Sequence, residues 1–264
     1  MGRAAEQFGS DILLVNPKTK GAHMIKKIVE DYKVLLRSIP AATVTMFIVS
    51  VIMMNLLANK ELISLPWLAL DCGFVVSWVS FLCQDMICKR FGAKASIKVS
   101  ILALAINLAV SLCFWLVTLT PGKWGAYYDT GLDQVNAALN ATIGGTWYVV
   151  AGSSLAMLCS SVTNSLLNQG LARVARGGGF ASFAFRSYVS TGIGQFVDNF
   201  IFALVVSHVF FGWTLLQVVM CSFTGAIAEL LCEVLLSPVG YKVVRGWERE
   251  NVGAEYLRLH GMGA

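Results

Sequence analysis

Five carboxylates interrupt otherwise apolar stretches of this chain: Asp71, Asp85, Asp198, Glu229 and Glu233. An ionisable group in such a stretch either faces a polar cavity, where it can bind a ligand or carry a proton, or is held by a structural partner. Spacing groups these five. Asp71 and Asp85 are fourteen residues apart, so on one helix at about 100° per residue they fall within roughly 40° of each other. Glu229 and Glu233 stand at i, i+4 and share a second helix face.

Amides accompany them at Gln84, Asn107, Asn164, Asn168, Gln169, Gln195 and Asn199. A solitary amide such as Asn107 reads as a hydrogen-bonding link between packed membrane helices. Gln195, Asp198 and Asn199 differ, because three polar residues fall in one turn, roughly 15–20 Å from Arg186 at 1.5 Å per residue. They need a polar cavity or matched partners, and a ligand site is the favoured reading. Asp85 has Lys89 at i+4, so ion pairing at an interface competes evenly with binding. Arg186 could anchor at an interface or reach inward to neutralise a buried carboxylate.

Other chemistries find little support. The seven cysteines lack paired CxxC spacing and fall almost wholly in apolar segments, so they read as packing residues rather than disulfides or zinc ligands. His23, His208 and His260 are far apart, and no metal site is expected. Arg176-Gly177-Gly178-Gly179 lacks the Walker spacing and reads as a turn. No cofactor is expected, and no hydrolase or metalloprotease motif is present, so the chain is not expected to be an enzyme. An intramembrane enzyme would need a clustered metal-binding spacing that these carboxylates do not have.

The elements that must position these groups follow from hydropathy. Of 264 residues 56% are hydrophobic and 13% charged, with a mean hydropathy of +0.69, too apolar for a soluble domain of this length. A helix needs about 20 apolar residues to span the hydrocarbon, and six windows qualify: 40–57, 65–83, 97–119, 146–167, 187–211 and 215–239. The expected class is therefore an all-α integral membrane protein with six transmembrane helices and one domain over 39–242. Ahead of it, residues 24–38 alternate apolar and charged side chains as an amphipathic interfacial helix does. Residues 1–23 form a polar tail without the apolar core of a signal peptide. Gly21-Ala22-His23-Met24 resembles a cloning scar, although a native tail would read much the same. Residues 243–264 form a second tail.

Charge sets the orientation. Lys and Arg gather in the N-terminal segment, in the second loop (Lys89, Arg90, Lys94, Lys98), in the fourth (Arg173, Arg176, Arg186) and in the tail, leaving only Lys60 and Lys123 on the opposite side. By the positive-inside rule both termini are cytoplasmic, in a bacterial plasma or inner membrane. The net charge of +5 is explained by this topology, so no nucleic-acid partner is expected. The longest outer loop, 121–145, carries Trp124, Tyr127 and Tyr128 and could form a short interfacial helix around 135–141. Six helices divide into three plus three, which is compatible with inverted repeats and alternating access about a midplane site. Small residues on helix surfaces permit a homodimer.

At these residues the chain resembles the vitamin-uptake-transporter (VUT) family, whose members are best known as queuosine-precursor transporters. The strongest part is Arg186-Ser187-Tyr188-Val189-Ser190-Thr191-Gly192-Ile193-Gly194-Gln195-Phe196-Val197-Asp198-Asn199, similar to the family's arginine, serine-threonine, glutamine and aspartate signature. Asp85 with Phe91-Gly92, and Glu233 with Ser237-Pro238 and Tyr241, are similar to two further segments. Ser161, Asn164 and Lys89 depart from the family pattern. The resemblance implies import of 7-deazaguanines such as queuine, preQ0 and preQ1. Asp198 or Glu233 would then accept the N–H and exocyclic amine on one edge of the base. Gln195, Asn199 and Asn164 would take its remaining groups. Trp67, Trp78 or Trp115 could stack on its face or simply anchor at the interface. An alternative is the substrate-binding S component of an energy-coupling-factor vitamin importer.

Overall fold

The computed structural model describes residues 17–174 and 180–262. Helix α1 runs Pro17–Ser38, with Met24, Ile25, Ile28 and Val29 exposed and Leu35 buried at its far end. Pro40 follows in extended conformation. Its missing N–H, and the clash it imposes on the residue before it, stop the helix. The chain turns by 107° between Met24–Ser38 and the next helix, α2 (Ala41–Leu57).

The second apolar window is not one helix. Its outer part folds as a β-hairpin, β1 (Glu61–Ser64) and β2 (Ala69–Asp71), paired antiparallel with Glu61 opposite Asp71 and Ser64 opposite Ala69. Helix α3 begins only at Phe74 and runs to Phe91. The cause is local. Pro66 stands between the strands, and Gly73 N donates to Asp71 Oδ1 at 2.8 Å, a side-chain turn that competes with helix and sits just ahead of one. Hydropathy registers apolarity but not this punctuation. Asp71 is therefore not on a helix, and the face it was expected to share with Asp85 does not exist.

Gly92, at φ +83, ends α3, and α4 (Ala93–Thr118) starts at the next residue. Among the outer-loop residues the short helix is α5 (Gly125–Thr130). Residues 135–141 instead belong to the opening turns of α6 (Asp133–Val174). Trp124 fixes that junction, donating from N to Asn136 Oδ1 at 2.8 Å and from Nε1 to Asn140 Oδ1 at 2.7 Å. The Asp133 carboxylate accepts from Lys123 Nζ at 2.7 Å and raises the pKa of that lysine. The glycine-rich turn at 176–179 lies outside the described residues. Helix α7 (Phe180–Phe202) passes into a π turn, Ala203–Ser207, and a last turn, His208–Phe210. A capping box between Thr214 and Gln217 opens α8 (Leu215–Arg249), and α9 (Ala254–Leu259) follows.

Four of these helices contain a stretch long and apolar enough to cross a membrane, at Ala93–Thr118, Asp133–Ser160, Thr191–Phe210 and Leu215–Leu236. A fifth is added if α1 and α2 count as one bent span. Leu112, Leu116, Leu158, Val162 and Leu231 point outward, as the lipid-facing side of such helices requires. The chain is a multi-pass, all-α membrane protein apart from the hairpin.

Helix α6 packs along α4 and α7, α8 along α7 and α3, and α2 along α3. The largest apolar core lies at one end, where Leu35, Phe91, Val99, Trp247, Tyr256 and Leu257 meet. A smaller one gathers Ala69, Ala203, Trp213 and Val218, seating the hairpin on the π turn and the start of α8.

Candidate functional site

Asp198 lies 12 residues before the end of the helical run at Phe210, and Glu229 lies 14 residues after the start of α8 at Leu215. At 1.5 Å per residue these are roughly 18 and 21 Å from the same interhelical turn, so the two carboxylates come to similar depth. Asn199 connects them, donating from Nδ2 to Glu229 Oε2 at 3.2 Å. Ser160 of α6 donates to Asp198 Oδ1 at 2.9 Å. From the hairpin, Asp71 joins the same cavity, which has a volume of about 70 Å³ and is also lined by Asn55, Ser77 and Cys221.

A second cavity, of about 50 Å³, is lined by Trp78, Asp85, Lys89, Thr191, Gln195 and Glu229. Glu229 and Phe81 line both. Asp85 meets Lys89 Nζ at 3.3 Å with its side chain 41% exposed, so the i, i+4 pair forms and the carboxylate still borders the cavity.

The sequence-derived candidates therefore separate into four sets. Asp71, Asp198, Asn199 and Glu229 converge on the larger cavity, while Asp85 and Gln195 meet Glu229 at the smaller. Trp67 sits between the strands, 50% exposed, and lines neither cavity. Asn164, Arg186 and Glu233 belong to α6, α7 and α8, and their side chains lie outside the described residues. Gln84 is tied to α4, donating to Ser100 Oγ at 3.4 Å. Asn107 is buried with its Nδ2 unpartnered, so its donor does not make the expected interhelical bond.

Electrostatically the larger cavity is one-sided. Its three carboxylates accept from a hydroxyl, an amide and a backbone N–H, and no basic residue lines it among the described residues. An aspartate at the centre of a span costs roughly 2.5–3.5 kcal/mol on insertion scales. Such a cavity suits a ligand that supplies several N–H donors or a positive charge.

Several contributors were not singled out from sequence. Asn55 is 2% exposed and has no partner for Nδ2. It is the single amide in its apolar window, which was a readable signal. Gly225 was not readable in that way. A Cβ there would lie 2.8 Å from Asn199 Nδ2 and 3.0 Å from its Cγ, so the missing side chain is what lets Asn199 lie across α8 toward Glu229. The π turn just beyond Asn199 is another such feature. Tyr148 Oη donates to Val205 O at 2.6 Å, and Gly152 leaves room for Val206, so α6 is shaped to receive it. Single-turn π segments recur at functional sites.

Comparison with known proteins bears on the same region. A family model described as "Putative vitamin uptake transporter" matches residues 71–243, a span that holds both cavities apart from Met54, Asn55, Ala58 and Leu70. No curated protein and no solved structure matches the chain. With the match covering well over half of its length and all of the buried carboxylates, the chain belongs to the vitamin uptake transporter family.

Proposed function

We propose that this protein imports queuosine precursors, 7-deazaguanines such as queuine, preQ0 and preQ1, by alternating access. The observation that carries the reading is the convergence of Asp198, Asn199 and Glu229 on one cavity of a vitamin-uptake-type transporter. A deazaguanine presents adjacent N–H donors that a carboxylate accepts together. Asp198 and Glu229 are placed for that role, with Asn199 and Gln195 for the other polar groups of the base. Asn164, Arg186 and Glu233 remain further contacts in this reading, and Phe81 is an aromatic bordering both cavities.

In this reading α2, α3, α4, α6, α7 and α8 are six spans, both termini are cytoplasmic, and α1 lies on the cytoplasmic surface. The 107° turn between α1 and α2 and the 17 and 18 residues of α2 and α3 support it, since such lengths approach the spanning requirement. Cavities of about 50 and 70 Å³ are far below the roughly 300 Å³ at which ligand pockets begin. Cargo would enter only as the helices part, which is the expectation for a closed stage of alternating access.

The test is uptake of labelled queuine, preQ0 and preQ1 by cells that lack their own carrier and express this chain. Accumulation that Asp198→Asn abolishes supports the reading. Well-expressed wild type that accumulates none of the three overturns the cargo, and uptake indifferent to both Asp198→Asn and Glu229→Gln overturns the site.

A further inference from the structure

Beside the carboxylates, two almost fully buried amides are left incomplete. Asn55 lines the larger cavity with Nδ2 unpartnered, and Gln195, 6% exposed, lines the smaller with Oε1 unpartnered. Orphaned polar atoms in a native interior call for a mobile ligand such as water or an ion. Among the described residues the charged and titratable groups facing the two cavities are few. The hairpin presents Asp71, α7 presents Asp198, and α8 presents Glu229 with the thiols of Cys221 and Cys232. Helix α3 presents Asp85 and Lys89, already paired with each other. Helices α2 and α6 present no titratable group there, only amide and hydroxyl groups, among the described residues.

Three carboxylates line one cavity with neutral partners among the described residues, and a shared cation would relieve their mutual repulsion. A neutral base supplies donors but no charge. No group of three His, Cys, Asp or Glu side chains stands close enough together to hold a metal ion among the described residues. The proton needs only one oxygen.

We propose that Glu229, with Asp198 beside it, is the proton carrier of this transporter and that uptake is driven by proton entry. Glu229 is the carboxylate that borders both cavities, so it can be loaded from the hairpin side and discharged toward the Asp85–Lys89 end. Asn199 holds one of its oxygens, and a proton needs only one. The inference rests on the transport reading, not on the identity of the cargo.

Two measurements on lipid-reconstituted full-length protein separate these. Infrared difference spectra between acidic and alkaline pH should show a protonated carboxyl band that Glu229→Gln removes, Asp198→Asn shifts and Asp85→Asn leaves in place. The amide bands report whether each variant is folded. No titrating buried carboxyl in wild type, or a band indifferent to both Glu229→Gln and Asp198→Asn, overturns the proton site. In vesicles with the membrane potential clamped, labelled queuine should accumulate up to about tenfold per unit of inward pH gradient for one proton per cargo. Counterflow of queuine in vesicles whose net accumulation ignores the gradient overturns the coupling and leaves the cargo standing. Absent counterflow with an intact carboxyl band overturns queuine and leaves the proton site standing.

Discussion

Charge is handled in opposite ways at the closed end of the bundle and at its centre. At the end, Asp31 of α1 is held by Lys98 and, at 3.0 Å, by His260 Nε2. Arg90 donates from Nε and Nη2 to Val252 O at 3.1 and 3.0 Å, and the His260 ring stacks on Tyr256 at 4.0 Å. The last helix is thereby fastened to α1, to the α3–α4 turn and to α4. At the centre, Asp71, Asp198 and Glu229 have only neutral partners among the described residues and open onto cavities. Completed pairings specify one arrangement, and incomplete ones leave room for a ligand to finish them. The closed end is built to stay as it is, and the centre is built to change.

The sharpest way to break that contrast is at Gly253. It has φ +74, and a Cβ there would strike the Phe91 ring. Gly253→Val should combine left-handed strain with overpacking, at about 2–4 kcal/mol, and lower the thermal unfolding midpoint of the purified protein. An unchanged midpoint would mean that the last helix is not fastened. Next, Asp198→Asn should cut uptake by about a hundredfold, or about 2.7 kcal/mol in transition-state terms, while leaving the midpoint equal or higher, because it removes a costly buried charge. Loss of the midpoint together with uptake would move Asp198 from the functional to the structural region.

Gly225→Ala should displace Asn199 and lower uptake by roughly tenfold, about 1.4 kcal/mol. Since it acts through Asn199, adding it to Asn199→Ala should cost little more, and full additivity would disprove that route. The smallest effect is expected at the closed end. Asp31→Asn removes the negative charge shared by Lys98 and His260 and should cost about 1 kcal/mol. It should lower the midpoint and leave uptake intact, whereas impaired uptake would show that the two regions communicate.

Much of this was legible from sequence where one signal dominates. The window at 40–57 became Ala41–Leu57, and that at 97–119 overlaps Ala93–Thr118, because apolar length and a Pro or Gly ahead of each leave a helix little alternative. Asp198, Asn199 and Glu229 stood out because ionisable and amide groups are costly inside such helices, and the structure places all three along one cavity. Asp71 was singled out for the same reason and misplaced for another: period 3.6 was assumed across Pro66 and the Asp71–Gly73 turn, where side-chain and proline geometry override hydropathy. Gly225 and the π turn carried no sequence signal, since each acquires its meaning from a neighbour on another helix, Asn199 for the one and Gly152 with Tyr148 for the other.

The π turn at Ala203–Ser207 also bears on how this helix tolerates change in length. Elsewhere in a membrane helix, losing one residue turns everything on one side of the cut by about 100° and shifts it by about 1.5 Å. A π turn already holds one residue more than α pitch requires. Deleting Leu204 would be absorbed there as a return to ordinary pitch, with Asn199 and His208 both kept in phase with their neighbours. Deleting Ile201, four residues after Val197 in regular helix, would instead swing the site residues away from α8.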